Sequence, residues 1–104
     1  MNNIYTIKQL QNLLLPIFAR EPIYKAVLFG SYANGLATEK SDIDIVIDSQ
    51  GKIRGIDFFG ILEDVTSVLN KPVDLIEMSQ VIEGGRVQKE ILEKGIVIYE
   101  KALA

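Results

Sequence analysis

The order of secondary-structure signals along the chain predicts an α/β (α+β) domain, in which a small mixed β-sheet has helices packed against it. Segments with apolar residues at three- and four-residue intervals alternate with short β-branched runs, and polar or glycine-containing turns separate them. No repeat or linker interrupts the 104 residues, and 48% of them are hydrophobic. That length and composition suit one compact core. We therefore expect a single domain over residues 1–104.

Three segments have the apolar spacing of helices: residues 6–20, 56–70 and about 80–94. Thr6 and Gln9 have the spacing of a capping box at the start of the first segment. Pro16 predicts a kink or an early end of that helix, because proline has no backbone N–H to donate. Gly95 is suited to end the third helix. A single helical turn is expected within "SYANG", which begins at Ser31.

Four short runs of β-branched and aromatic residues predict strands: residues 24–30, 42–48, 72–78 and 96–99. Asp42 and Asp44 lie in the second run, where side chains alternate between the two faces of the sheet. The isoleucines between them should face the core, and the two acids should share the other face. Asp74 is a single acid inside the third run. If the second and third strands are neighbours, all three carboxylates lie on one face.

Acids on a strand have two explanations. They protect an exposed edge strand from aggregation, or they bind a cation. Three adjacent carboxylates without a counter-ion repel one another, so a divalent cation would stabilise them. An EF-hand that starts at Asp42 is excluded by Val46 and Ile47, and a Walker A loop that starts at Gly30 is excluded by its lack of the required lysine.

Missing residue types narrow the chemistry further. The chain has no Cys and no His, which excludes disulfides, thiolate nucleophiles and a Ser-His-Asp triad, and it leaves oxygen ligands for hard ions such as Mg²⁺ or Mn²⁺. A net charge of -3 disfavours binding to long nucleic acids. The longest apolar stretch is too short for a membrane span, and no signal peptide is recognisable, so we expect a cytoplasmic protein without membrane contact.

Gly30 and Ser31 come ten residues before the Asp42-x-Asp44 pair. A strand-ending turn would explain this dipeptide by itself. If a helical turn follows, however, its free N–H groups and the Ser31 hydroxyl form a small anion site that Gly30 allows a ligand to approach. An anion site beside an acidic metal site suits a nucleoside triphosphate.

This combination resembles the nucleotidyltransferase fold of the DNA polymerase β superfamily, and the resemblance extends over nearly the whole chain. The nearest match is the group of minimal nucleotidyltransferases that pair with HEPN proteins in toxin-antitoxin systems. The resemblance implies that Asp42 and Asp44 bind two Mg²⁺ ions, that Asp74 completes one metal site and helps to deprotonate the acceptor, and that Gly30 and Ser31 hold the β and γ phosphates. It also implies ATP as the substrate.

Two departures from the resemblance affect the expected function. Many relatives have Arg or Lys where this chain has Asn34, and Lys40, Arg54 or Arg86 would have to compensate unless they are ordinary surface charges. Larger relatives continue into an acceptor-binding domain, so we expect this protein to take its acceptor site from a partner.

Three functions follow from the resemblance. The leading one is the antitoxin of a HEPN pair, which transfers AMP from ATP to a tyrosine hydroxyl of the toxin. The second is a catalytic subunit that modifies a small molecule together with a separate helical chain. The third is a binding antitoxin that neutralises its partner by contact alone, with the acids serving only the fold.

Overall fold

Helices and strands alternate along residues 4–101, the part of the chain that this computed structural model describes. The helices are α1 (Ile7–Ala19), α2 (Ser31–Asn34), α3 (Ile56–Leu69) and α4 (Arg86–Lys94). The strands are β1 (Lys25–Phe29), β2 (Ile43–Asp48), β3 (Val73–Glu77) and β4 (Ile96–Glu100). A short 3-10 helix, Met78–Gln80, follows β3. The predicted strands are confirmed to within one residue at each end.

The four strands form one mixed sheet in the order β3-β2-β1-β4. β1 pairs antiparallel with both β2 and β4, whereas β2 and β3 are parallel. Parallel neighbours need a long crossover connection, and α3 supplies it. The prediction of a small mixed sheet with helices packed against it is therefore confirmed, and β2 and β3 are neighbours.

One face of the sheet carries the main core. The three isoleucines of β2 are fully buried there, as the alternation of side chains predicts. α1 and α3 cover this face with buried apolar residues at helical spacing, which are Leu10, Leu14, Ile17, Phe18, Ile61, Val65 and Leu69. Arg20 links the two helices at the surface, where its guanidinium donates to Asp64 at 2.7 Å.

The opposite face has a smaller apolar cluster. Val27, Phe29 and Val46 are buried, and Val87 and Ile91 of α4 pack against them. The predicted acidic face is therefore only partly acidic, because α4 covers its central part. No helix within the described residues combines the length and the apolar composition that crossing a membrane requires.

Two helix predictions are wrong in detail. Pro16 does not end α1 early, because the helix continues to Ala19. Pro16 is exposed while Ile17 and Phe18 are buried, so the freed carbonyl group lies on the solvent side and the packing of the buried face maintains the helix. The capping box between Thr6 and Gln9 is confirmed.

The third predicted helix starts later than residue 80. Residues 78–85 form the 3-10 helix and a turn, in which Gly84 has a φ of +78°. That backbone conformation suits glycine and interrupts an α-helix, so α4 begins only at Arg86. Gly95 closes α4, as predicted, by donating its N–H to the carbonyl group of Ile91 at 3.0 Å.

Candidate active site

The parallel register of β2 and β3 pairs Asp44 with Asp74. Residues paired across neighbouring strands lie about 5 Å apart, with their side chains on the same face of the sheet. Asp42 precedes β2 by one residue, is exposed, and lies close enough to Asp44 to affect its pKa. Three acids that are distant in sequence are thus brought to the same end of two neighbouring strands.

Gly30 brings the backbone of β1 directly against Asp44. It follows Phe29, the residue that pairs with Asp44 in the antiparallel ladder, and its φ is 72°. A Cβ atom at Gly30 would overlap the carboxylate oxygen Oδ2 of Asp44. Glycine is therefore required at this position for two reasons. Its φ is positive, and a side chain would occupy the space of the Asp44 carboxylate.

The predicted turn after Gly30 is present as α2. The N–H groups of Ala33 and Asn34 donate to the carbonyl oxygen of Gly30, each at 3.1 Å. Ser31 begins the turn next to Asp44, and no hydrogen bond to its hydroxyl group is found within residues 4–101. The dipeptide Gly30-Ser31 thus lies beside the acids, as the resemblance implies.

Asn34 has a structural use in this turn. Its side-chain oxygen Oδ1 accepts a hydrogen bond from the N–H of Leu36 at 3.0 Å, which closes the end of α2. Asparagine often forms such local bonds to the backbone two residues on, whereas arginine and lysine have no acceptor to offer. The residue that departs from the family pattern therefore stabilises the loop.

The loop before Asp42 is held by hydroxyl groups. Ser41 Oγ accepts from the N–H of Thr38 at 2.8 Å, and the hydroxyl of Thr38 accepts from the N–H of Lys40 at 3.2 Å. The ammonium group of Lys71, just before β3, donates to the carbonyl oxygen of Glu39 at 2.9 Å. The hydroxyl bonds hold the loop before Asp42 in shape, and the Lys71 bond connects it to the loop before Asp74. The positions of the two acids are therefore coupled.

Asp44 is the electrostatic centre of the cluster. Burial, followed by the negative charges of Asp74 and Asp42, raises its pKa to about 6. Glu90 of α4 contributes in the same direction, and Arg86 opposes it. The site therefore has an excess of negative charge close to a partly buried carboxylate, which favours a proton or a cation.

The structure separates the three basic candidates. Arg54 comes after the far end of β2 and lines a different cleft, together with Phe58. Lys40 is exposed in the loop before Asp42. Arg86, at the first turn of α4, is the cation that acts on Asp44. Sequence reasoning missed Glu90, although its spacing of four residues from Arg86 was a usable signal.

The residues fit a divalent cation by their chemistry. All three acids offer the hard oxygen ligands that Mg²⁺ and Mn²⁺ prefer, and no nitrogen or sulfur ligand competes. Within residues 4–101 no three acids are already arranged as a metal cage. Mg²⁺ usually binds through one or two carboxylates together with substrate phosphates, so the protein need not supply a complete cage.

Comparison with known proteins assigns the family. A family model described as "Polymerase beta, Nucleotidyltransferase" matches residues 12–103. The chain belongs to this nucleotidyltransferase family. A curated relative from Methanocaldococcus jannaschii, named "Putative protein adenylyltransferase", is 34% identical over 106 residues, which cover 95% of this chain and 100% of the relative. The family comparison thus supports a transferase that acts with nucleotides.

Solved structures share the fold. A chain from a toxin-antitoxin complex with AMP-PNP superposes with a TM-score of 0.75 at 20% identity, covering 88% of this chain and 73% of that one. A chain from a complex of a tri-AMPylated Shewanella oneidensis HEPN toxin with its MNT antitoxin gives 0.70 at 17% identity, covering 92% and 74%. The expected minimal nucleotidyltransferase fold is confirmed.

Proposed function

We propose that this protein is the antitoxin of a HEPN/MNT pair and transfers AMP from ATP to a hydroxyl group of its HEPN-type partner. The observation that carries this proposal is the pairing of Asp44 with Asp74 beside Gly30, in a chain of the nucleotidyltransferase family. The name of the archaeal relative supports a protein as the acceptor. The two structural neighbours support a toxin-antitoxin pair, and the one with a HEPN toxin supports a HEPN-type partner.

The chain's residues divide the work between phosphates and acceptor. Gly30 and Ser31 hold the β and γ phosphates, because Gly30 brings the backbone close to the Asp44 carboxylate and the Ser31 hydroxyl is free to donate. Asp42, Asp44 and Asp74 would hold two Mg²⁺ ions, or Mn²⁺, which when bound neutralise charge on the triphosphate. Asp74 is exposed at the edge of the sheet, where it can also accept the proton of an incoming hydroxyl.

The reaction is an in-line transfer at the α-phosphorus. The acceptor oxygen forms a bond to this phosphorus, the bond from phosphorus to the oxygen that bridges to the β phosphate breaks, and pyrophosphate leaves. The hydroxyl proton goes to the carboxylate of Asp74. Catalysis depends mainly on positioning the hydroxyl and the triphosphate, which a chain without His can do.

A transfer assay tests this function. The protein is incubated with Mg²⁺, ATP and the product of the neighbouring reading frame, and the partner is then examined by intact-mass spectrometry. We expect a mass gain of one or more AMP units on a tyrosine. Label should pass from α-labelled ATP but not from γ-labelled ATP, which separates nucleotidyl transfer from phosphorylation.

Two variants separate catalysis from contact. Asp42→Asn and Asp44→Asn should abolish the transfer while the proteins still bind the partner. Inhibition of the partner that survives both substitutions without any mass gain would contradict the proposal and favour a binding antitoxin. Transfer of label to a small molecule, with an unmodified partner, would instead favour the catalytic subunit of a small-molecule enzyme.

A further inference from the structure

We propose that Arg86 is a binding residue for the triphosphate and that Glu90 competes with the phosphates for it. This inference rests on the proposed function and identifies the cation that replaces the basic residue missing at Asn34. α4 packs on the same face of the sheet that carries the acids.

The packing of α4 fixes where its polar residues lie. Val87 and Ile91 contact the apolar cluster of Val27, Phe29 and Val46. Phe29 pairs with Asp44, and Val46 lies two residues beyond Asp44 on the same face. Arg86 directly precedes Val87, and Glu90 directly precedes Ile91. Because these two apolar residues anchor α4, the helix holds Arg86 and Glu90 close enough to affect Asp44.

A cleft connects Arg86 with the strand that carries Asp74. Arg86 and Val87 line a cleft of about 170 Å³ together with Ile76 of β3. Ile76 is two residues after Asp74 and on the same face, since side chains alternate along a strand. Arg86 therefore lies in the wall of an open cleft that reaches the strand carrying Asp74.

Arg86 and Glu90 form a loose pair. Nη1 of Arg86 lies 3.7 Å from Oε1 of Glu90, across one helical turn. The Arg86 side chain is 84% exposed, so it can turn toward a ligand. Among the charged side chains of residues 4–101, it is the one cation that lowers the pKa of Asp44, which agrees with this placement.

The ligand that suits this arrangement is the terminal part of a triphosphate. Arginine presents a planar fork of N–H donors that matches two phosphate oxygens at once, which makes it suited to phosphate recognition. Without a ligand, Glu90 lies near one of those donors, at a distance too long for a hydrogen bond, and adds negative charge near the entering anion. Glu90 thus competes with the phosphates for Arg86.

Equilibrium binding of ATP and AMP to the whole protein tests the inference. Arg86→Ala should weaken binding of Mg-ATP by about tenfold, the loss expected for a charge-assisted phosphate contact. Its affinity for AMP should hardly change, because AMP lacks the β and γ phosphates. Arg54→Ala is the matched control, since it removes an arginine from the other end of β2 and should leave both affinities unchanged.

A double-mutant cycle tests the role of Glu90. Glu90→Gln should tighten ATP binding by about threefold, and this gain should disappear in the Arg86→Ala background. An equal gain in both backgrounds would show that Glu90 acts only by its charge on the ligand, which would overturn its competition for Arg86. If Arg86→Ala does not fold, as checked by circular dichroism, an unchanged ATP affinity of Glu90→Gln would overturn the inference.

The outcomes distinguish this inference from the proposed function. If the wild-type protein transfers AMP but Arg86→Ala binds ATP as well as Arg54→Ala does, only the role of Arg86 is wrong. If ATP binding depends on Arg86 and no AMP transfer occurs, the inference stands and the proposed reaction is wrong. A wild-type protein that does not bind ATP overturns both.

Discussion

The two faces of the sheet differ in what their residues accomplish. On the face covered by α1 and α3, apolar side chains fill a continuous core, and the β2 residues that point there are fully buried. On the face covered by α4, a small apolar cluster shares the surface with Asp44 and Asp74. Neighbouring residues of β2 therefore differ in their effect: one set stabilises the fold, and the other carries an electrostatic cost at the candidate site.

The comparison predicts that one chemical change has different costs on the two faces. Ile45→Ala removes a fully buried side chain from the main core and should lower the free energy of unfolding by about 4 kcal/mol. Ile76→Ala makes the same change on the neighbouring strand, at a half-buried position of the opposite face, and should cost about 1.5 kcal/mol. Urea unfolding of both variants measures the difference, and equal losses would contradict it.

The acidic face should be more sensitive than the core face when activity is measured. Gly30→Ala forces Asp44 to move, and misplacing a reactive group by about 1 Å costs roughly a hundredfold in rate. Gly35→Ala is the matched control, because Gly35 also has a positive φ but has open space around its Cβ position. AMP transfer by the two variants, each with its stability measured, separates the clash from backbone strain. Similar activities would argue against a site at Gly30.

A second acid of β3 provides a contrast with the acids of the candidate site. Glu77 is buried, and Ser49 donates to its Oε2 from both its N–H, at 2.7 Å, and its hydroxyl, at 2.6 Å. Burial alone would raise the pKa of Glu77, but these bonds and that from Ser79 outweigh it and hold the pKa below its ordinary value. The ionised form is therefore the one that stabilises the fold.

Glu77→Gln should lower the free energy of unfolding by about 2 kcal/mol at pH 7, because a charged acceptor of several hydrogen bonds is lost. The contribution is complete above the ordinary pKa and is lost as the pH falls through the lowered pKa, so wild type and variant should converge in acid. Glu63→Gln, at an exposed position of α3, serves as the control. Thermal unfolding between pH 3 and about 8 would measure both.

Asp44 should behave in the opposite way. Its pKa in the folded protein, without metal, is raised to about 6, so the contribution of its protonated form is complete below the ordinary value and is lost as the pH rises through about 6. Asp44→Asn should therefore gain about 1 kcal/mol above pH 7, a discounted value because the carboxylate is partly exposed. Asp48→Asn, on the same strand face, should give no such gain. A stability of Asp44→Asn equal to that of wild type at every pH would contradict the prediction.

Local patterns were sufficient to predict much of the fold. Alternation placed the isoleucines of β2 in the core. Acids in two strands led to the expectation that Asp42, Asp44 and Asp74 share a face, which the parallel register bears out for Asp44 and Asp74. The catalytic and metal-binding roles of these acids, by contrast, remain predictions. The sequence predicts which face carries the acids because side chains alternate along a strand with a period of two. A shift of the strand register by one residue would turn the charged side chains into the core.

What could not be predicted depends on tertiary contacts. Pro16 is tolerated because neighbouring residues of α1 are anchored in the core, a compensation that local propensity does not contain. The placement of Glu90 near Asp44 depends on how α4 packs on Val46 and Phe29. The burial of Glu77 depends on Ser49, which is 28 residues away in sequence. None of these contacts has a local signature.

The parallel pairing of β2 with β3 also affects the order in which the protein folds. β1 and β2 are joined by a short connection and can pair early, whereas β3 reaches β2 only after α3 has crossed the sheet. The repulsion between Asp44 and Asp74 is therefore absent until this late step. We expect Asp74→Asn to slow unfolding and leave the folding rate nearly unchanged, which a denaturant series of both rates would measure. The charges of Asp44 and Asp74 thus meet in the same step that brings Leu75 of β3 into the main core.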